Sequence, residues 1–446
     1  MTTKSFRQLR AQIDADPRRR VRVEAETQAL LEPALWARVL PFAFLMLGVV
    51  MLLTRLPVIL LTNLWAEDGT VFYAEAYNQG ALRALLIPHT SYLQTFPRLE
   101  SLLAVHFPVL FAPYLASAVA LLADVLPGAV FVSNRFRKVV PARAVRILLA
   151  LASIALPGSF EVNGNLSNVQ WHLALLGFVL LLAAPRTRVG HVLDLLALAV
   201  VGLSGPFGFL LLPAALVLAW KRGRWLWPRV AVLTVTVAIQ GLIYVTHRDQ
   251  RPPANLGLSG PLLVRILDRP LLQPILGTDA YQQLLHSTAW SALWLPLAVL
   301  IAGAVLVALA LWRGPLELRL LLWLGAGVLV FALFGALTPP KGTLWSMLPS
   351  GDSGFRYFYI PAFIWIATLI WAACQPKLSL LRGIAVGILA VSLLVGIPRD
   401  WRYGPELPAT GYQAAARAFD RSPPGTDATL PIAPTNWTMS LHKRHG

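Results

Sequence analysis

The dominant pattern along the chain is a series of apolar runs broken by short polar ones. They cover residues 39–63, 112–134, 144–158, 169–185, 190–204, 206–220, 227–246, 289–312, 317–338, 356–374 and 380–397. Several reach the roughly 20 residues that an α-helix needs to cross a bilayer. The pattern predicts an all-α, multi-pass integral membrane protein with about 11 transmembrane helices. The runs at 144–158, 190–204 and 206–220 are short, which suits tilted hairpins or half-spans. No internal repeat, heptad or low-complexity tract interrupts the series.

The segments between the runs set the domain layout. A basic N-terminal segment, 1–38, precedes a transmembrane domain at 39–397. Its larger outer loops are expected at 64–111, 247–288 and 339–355, and the tail at 398–446, rich in Pro and polar residues, is expected to form a small cap. Residues 70–79 in the first loop read as a short amphipathic helix at the membrane interface.

Composition agrees with the pattern. Only 13% of residues are charged, against about 25% in soluble globular proteins, and 57% are apolar. The length therefore does not describe two or three soluble domains. The net charge of +17 would suggest nucleic acid in a soluble protein. Here the cations fall in short loops, and no basic stripe with interleaved aromatics lies outside the spans, so no nucleic-acid partner is expected. The single cysteine, Cys374, excludes an intramolecular disulfide and a Cys-rich zinc site. No Gly-rich phosphate loop or dinucleotide fingerprint is present.

Charge placement sets the orientation. A cytoplasmic N-terminus puts 23 Lys and Arg in cytoplasmic segments and 14 in outer ones. The clusters at Arg135, Arg137 and Lys138 and at Lys221, Arg222 and Arg224 weigh most. Glu67, Asp68, Glu75, Glu100, Glu161 and Asp352 then lie outside, as does the C-terminus. The first 35 residues lack a signal-peptide pattern, so the first span is expected to be retained. The bias toward Ala, Leu, Arg and Pro is that of a GC-rich bacterium, which implies the inner (plasma) membrane.

Candidate chemistry concentrates in the outer loops. Glu67 and Asp68 follow the first span, between Trp65 and Gly69. One is a candidate general base, the other its orienting partner, or the two hold a divalent cation. The alternative is a solvated helix cap. His89, in Pro88-His89-Thr90-Ser91-Tyr92, is a candidate acid–base or ligand group, or simply hydrogen-bonded. A second cluster runs from Glu161 to His172. Its amides at Asn165, Asn168 and Gln170, with Trp171 and His172, suit a sugar-binding lining, since amides bond hydroxyls and indole stacks on a pyranose. The alternative is a tight loop whose Asn residues make turns. A third cluster holds Asp352, Arg356 and Tyr357. Arg356 is a candidate grip for a phosphate at headgroup depth, or an interfacial anchor, and Lys341 is a second candidate cation. Arg55, Asp124 and Asp194 are the charges inside spans, where a charge is a functional hypothesis by default; Arg55 reaches the outer cavity or snorkels, and Asp194, near a cytoplasmic end, needs no special role.

These residues carry a resemblance. The run Trp65-Ala66-Glu67-Asp68-Gly69, with Tyr92-Leu93, Pro97-Arg98-Leu99, the Asn165–Trp171 run, Ser353-Gly354-Phe355-Arg356-Tyr357 and Pro434-Thr435-Asn436-Trp437, resembles bacterial membrane glycosyltransferases of the GT-C superfamily. The likeness extends over most of the chain in layout. It implies a GT-C-like fold and a polyprenyl-phosphate-sugar donor used on the outer face. An acid of the first outer loop would be the base, and Glu67 and Asp68 occupy that place. Arg356 matches the basic residue that holds the lipid phosphate. His89, Tyr92, Arg98, Asn165, Asn168, Gln170, Trp171, His172, Asp352 and Tyr357 are the candidate substrate-binding residues, and Lys341 a further phosphate ligand. The acceptor would be a glycan, lipid or protein of the cell envelope, and one displacement would invert the anomeric centre. The departure is the tail: many relatives carry a large periplasmic domain here. The competing readings are a transporter or flippase for lipid-linked sugars, and an oligosaccharide polymerase or ligase.

Overall fold

The structure is a computed structural model, and it describes residues 33–185, 187–251, 255–336, 343–349, 354–403 and 408–444. The chain is mostly helical. The longer helices are α1 (Pro33–Arg55), α2 (Ala74–Gln79), α3 (Thr95–Ala104), α4 (Ala112–Val132), α5 (Arg143–Ala155), α6 (Gln170–Leu182), α7 (Arg188–Gly202) and α8 (Gly208–Arg222). They continue with α9 (Trp227–Thr246), α10 (Gly260–Leu276), α11 (Trp294–Arg313), α12 (Leu316–Gly335), α13 (Arg356–Ala373), α14 (Ser379–Val391) and α15 (Tyr412–Arg421).

Each of the eleven apolar runs contains a helix, but six helical stretches among the described residues are long and apolar enough to cross a membrane. They are Val109–Val132, Arg224–Thr246, Trp294–Arg313, Leu316–Gly335, Arg356–Ala373 and Ser379–Arg399. The runs at 144–158 and 169–185 carry shorter helices. At 1.5 Å per residue, the 13 residues of α5 or of α6 reach about 20 Å, short of a hydrocarbon core of about 30 Å. Helix α1 covers 23 residues and stops at Arg55, just before Pro57, and a separate short helix, Val58–Thr62, carries the rest of the first run.

Packing explains which helices are central. In α6 every residue from Trp171 to Leu182 is buried, and α13 is buried nearly all round. Helices without a polar face belong inside a bundle. Helices α4, α7, α8 and α13 surround α6. By contrast, α9, α11 and α14 expose apolar side chains such as Leu242, Ile301, Val305 and Ile384. Apolar surface on this scale belongs in a bilayer, so the protein is a membrane protein.

Two regions differ from the sequence reading. The segment 247–288, expected as a loop, contains α10, which packs on α11 and α13 and buries Asp268, Arg269 and Gln273. Its interrupted pattern, with Pro270 and Pro274, hid it. The tail is not all-α: α15 is followed by an antiparallel hairpin of β1 (Asp427–Ile432) and β2 (Trp437–His442), in the register Leu430 opposite Met439.

The two ends of the bundle differ in chemistry. At one end, where α4, α6 and α8 finish, Asp194 accepts from Arg135 at 2.5 Å and Arg229 at 2.7 Å, and Arg222 pairs with Glu317. Asp194 is thus an internal counter-ion for the basic loops. The opposite end, where α6 begins and α9 and α12 finish, holds a cavity.

Candidate functional site

The segment after α1 is held in place by the C-terminal part of the chain. Arg55, at the end of α1, neither snorkels nor reaches the cavity. Its buried guanidinium donates to the carbonyls of Ile154, Leu156 and Trp401, tying the end of α5 to the segment after α14. Beyond it the backbone from Leu64 pairs with residue 433. The Ala433 amide donates to the Leu64 carbonyl at 3.0 Å, and the Ala66 amide donates to the Ala433 carbonyl at 2.5 Å. Gly69 lies so close to the tail that a Cβ there would sit 2.7 Å from Ile432 Cδ1. The glycine is required by close approach, not by a turn.

Glu67 and Asp68 part company within this loop. Glu67 lines the cavity. Asp68 is buried and absent from the cavity lining. Its carboxylate accepts from the Leu166 amide at 3.0 Å, the Ser167 amide at 2.6 Å and the Ser167 hydroxyl. Burial pushes its pKa up to about 7, against the opposing pull of those donors. Ser167 itself borders the cavity, so Asp68 sits one side chain behind the wall.

The cavity has a volume of about 540 Å³. Of the residues singled out by sequence, it brings together Glu67, His89, Tyr92, Asn168, Gln170, Trp171, Arg356 and Tyr357. The spacing from Glu67 to Tyr357 is closed by packing alone. Burial lowers the pKa of His89, which favours the neutral imidazole. Among the described residues, Gln170 Oε1 and Trp171 Nε1 have no hydrogen-bond partner. Buried polar groups left so are costly unless a ligand meets them.

Other residues singled out by sequence stand behind the wall. Arg98 donates to Glu75 at 2.8 Å and lies over the ring of Phe72. Asn165 makes the turn: its Oδ1 accepts from the amide and side chain of Asn168, and its Nδ2 donates to the Glu161 carbonyl. His172 is a strut, with Nε2 3.0 Å from Asn163 Oδ1 and Nδ1 2.9 Å from the Tyr359 hydroxyl. Asp124 accepts from the Gly164 amide at 2.8 Å, so this intramembrane charge braces the same loop. The amide-rich run is therefore both a turn and a lining, divided residue by residue. Lys341 and Asp352 lie outside the described residues.

Two cations face the cavity. The amide and guanidinium of Arg356 donate to the two carboxylate oxygens of Glu161. Arg251, which the sequence reading passed over, stacks over Tyr92 and Phe331, with its Cζ 4.9 Å from the Tyr92 ring centre. It donates to the carbonyls of Thr90 and Gly335, and among the described residues it has no carboxylate partner. Phe207 and Phe331 were also missed, and Pro434 and Trp437, noted in the sequence, were given no role; all four line the cavity. A lone Arg after a span carries no local signal, and ring positions in spans look like ordinary core.

An apolar groove of about 160 Å³ adjoins the cavity and shares Tyr92, Pro206, Phe207 and Phe331 with it. Phe209 and Leu210 of α8 and Gly327 and Val328 of α12 form the rest. Backbone strain gathers around the cavity as well. Ala66, Thr90, Ser91 and Asn436 have positive φ without being glycine, and each lines the cavity or adjoins a residue that does. Such conformations cost energy and persist only where the surroundings enforce them. The Ser91 amide is held by Gln250 Oε1 at 2.9 Å, and its hydroxyl donates to the His247 carbonyl at 2.7 Å.

Among the described residues, no three His, Cys, Asp or Glu side chains gather as metal ligands. Nor is the Glu67–Asp68 pair arranged as a chelate, since the Asp68 oxygens are taken up by loop donors. In comparisons with known proteins, the chain matches no family model, no curated protein and no solved structure.

Proposed function

We propose that this protein is a GT-C-like membrane glycosyltransferase of the bacterial inner membrane, moving a sugar from a polyprenyl-phosphate donor to a cell-envelope acceptor. One observation carries the reading: a single cavity joins the carboxylate Glu67, hydrogen-bonding amides, indole faces and the cation Arg251, and runs on into an apolar groove. A ligand that satisfies all of these is amphiphilic, anionic at its head and rich in hydroxyls. The positive-inside rule puts this end of the bundle on the extracytoplasmic side.

The chemistry follows from these groups. A sugar on a lipid phosphate already carries a leaving group. Glu67 takes the proton of the acceptor hydroxyl as its oxygen attacks the anomeric carbon. The bond from that carbon to the phosphate oxygen breaks, and the polyprenyl phosphate departs with the electron pair. Arg251 meets the growing negative charge on the phosphate, a role that suits a guanidinium in a site shielded from water. Arg356 has its charge matched by Glu161, so it fits better as a structural partner of that loop. Asn168 and Gln170 orient the sugar hydroxyls. Attack from the face opposite the leaving group inverts the anomeric centre.

The test is release of free polyprenyl phosphate from a panel of lipid-linked sugars, using purified protein, a crude cell-envelope acceptor and Glu67→Gln as control. Release that the control abolishes supports the enzyme and names the donor sugar. Lipid movement between leaflets without release, equal in both proteins, would instead make it a flippase. Transfer of a whole chain in place of one sugar would make it a polymerase or ligase.

A further inference from the structure

We propose that the C-terminal hairpin builds the acceptor subsite, with the indole of Trp437 as the platform on which a pyranose ring of the acceptor stacks beside Glu67. This rests on the glycosyltransferase reading and assigns the half of the site that the reading leaves open.

The argument starts from strand alternation. Trp437, Met439 and Leu441 share one face of β2. Met439 and Leu441 are fully buried in the small core formed with Tyr412, Phe419 and Leu430. Trp437, at the start of the strand, runs past that core and remains 37% exposed at the cavity wall. The hairpin does not need it for its own packing, and a large aromatic left on a cavity wall is a ready surface for a ligand.

Its position is fixed from both sides. The turn before it is closed by the Trp437 amide donating to the Pro434 carbonyl at 3.1 Å, with Asn436 held at φ 74°. Residue 433 is bonded to the backbone on either side of Trp65. On the far side, Asn78 donates to the Ser440 carbonyl and accepts from the His442 amide, and Arg444 donates to the Ala76 carbonyl. The strap therefore carries the indole into place relative to the loop that bears Glu67.

The chemistry of the lining separates the two substrates. Arg251 lies over the rings of Tyr92 and Phe331, both of which line the apolar groove, and this suits an anionic head on a lipid chain. Trp65, Glu67, Pro434 and Trp437 offer flat apolar faces and one carboxylate. That set suits a neutral ring with hydroxyls, one of which is the nucleophile.

The experiment compares Trp437→Ala and Trp437→Phe with wild type in full-length protein in a phosphocholine detergent. The acceptor probes are methyl pyranosides of glucose, galactose and mannose, and the readout is polyprenyl-phosphate release. Trp437→Ala is expected to raise the acceptor KM about tenfold with the donor KM unchanged, and Trp437→Phe to restore most of it. An unchanged acceptor KM would make Trp437 an interfacial anchor and overturn the proposal. A parallel rise in both KM values would overturn it too, by making the hairpin a brace alone. If wild type releases no polyprenyl phosphate from any donor, the enzyme reading fails by itself. Saturation-transfer NMR of the same pyranosides then decides the platform: binding must weaken in Trp437→Ala, and equal binding overturns it.

Discussion

The carboxylate of Asp68 is clasped by Ser167, whose backbone amide donates to Oδ1 at 2.6 Å and whose hydroxyl donates to the same oxygen. This contact splits two adjacent acids into different tasks. Asp68 fastens the loop after α1 to the amide-rich loop, and Glu67 is left on the cavity wall. In Glu67→Gln, turnover is expected to fall by about two to four orders of magnitude while the melting temperature in detergent holds, since a general base contributes about that much. In Asp68→Asn, the new amide NH₂ must face donors, and stability is expected to drop by about 1–3 kcal/mol. Release assays and thermal melts of the two variants check this; interchanged phenotypes would make Asp68 the base.

Glu100 gives the fold a pH signature. It is buried on α3, Oε1 has no hydrogen-bond partner among the described residues, and burial, followed by the nearby Asp68, pushes its pKa up to about 8. An acid whose folded pKa is raised binds more protons in the native state than in the unfolded one. Its contribution is full below the unfolded value near 4.5 and is lost as pH rises through about 8. Wild type is thus expected to lose stability between pH 5 and 8, by something on the order of a few kcal/mol. Glu100→Gln should flatten that slope. Melting curves of both proteins across the range decide it, and parallel slopes would show that Glu100 is not responsible.

Arg251 and Arg356 are expected to fail differently. Arg251→Gln removes a cavity cation that has no carboxylate partner among the described residues, and the donor KM should rise by about ten- to a hundredfold, the scale of a charge-assisted hydrogen bond. Arg356→Gln strands Glu161 and should act first on stability. Donor titrations and melting temperatures separate the two. A donor KM that moves only in the Arg356 variant would return the phosphate to that residue.

The strap can be tested through its tightest point. Gly69→Ala puts a methyl 2.7 Å from Ile432 Cδ1, and overpacking of this kind costs about 1–3 kcal/mol. Ile432→Val removes the opposing atom, so the double variant should recover most of the loss. Melting temperatures of the four proteins form the cycle; additive effects would mean that the two residues do not meet.

Much of the scaffold was legible in the sequence, because helices in a membrane protein are written locally. Apolar runs mark them, and polar breaks mark their ends. The concentration of acids, amides and aromatics in the outer segments was equally local, and most of those residues now stand round one cavity. Three things were decided only by tertiary structure. Which apolar runs become short, fully buried helices was one, since a run such as α6 serves a bundle's interior as well as a bilayer. The division of labour between Glu67 and Asp68 was another, because which carboxylate is buried depends on a loop about a hundred residues further along the chain. The last was the meeting of Arg251 and Trp437 with the loop after α1. Sequence records each side chain's chemistry, but only long-range packing and the backbone pairing of Ala66 with Ala433 bring these groups to one wall.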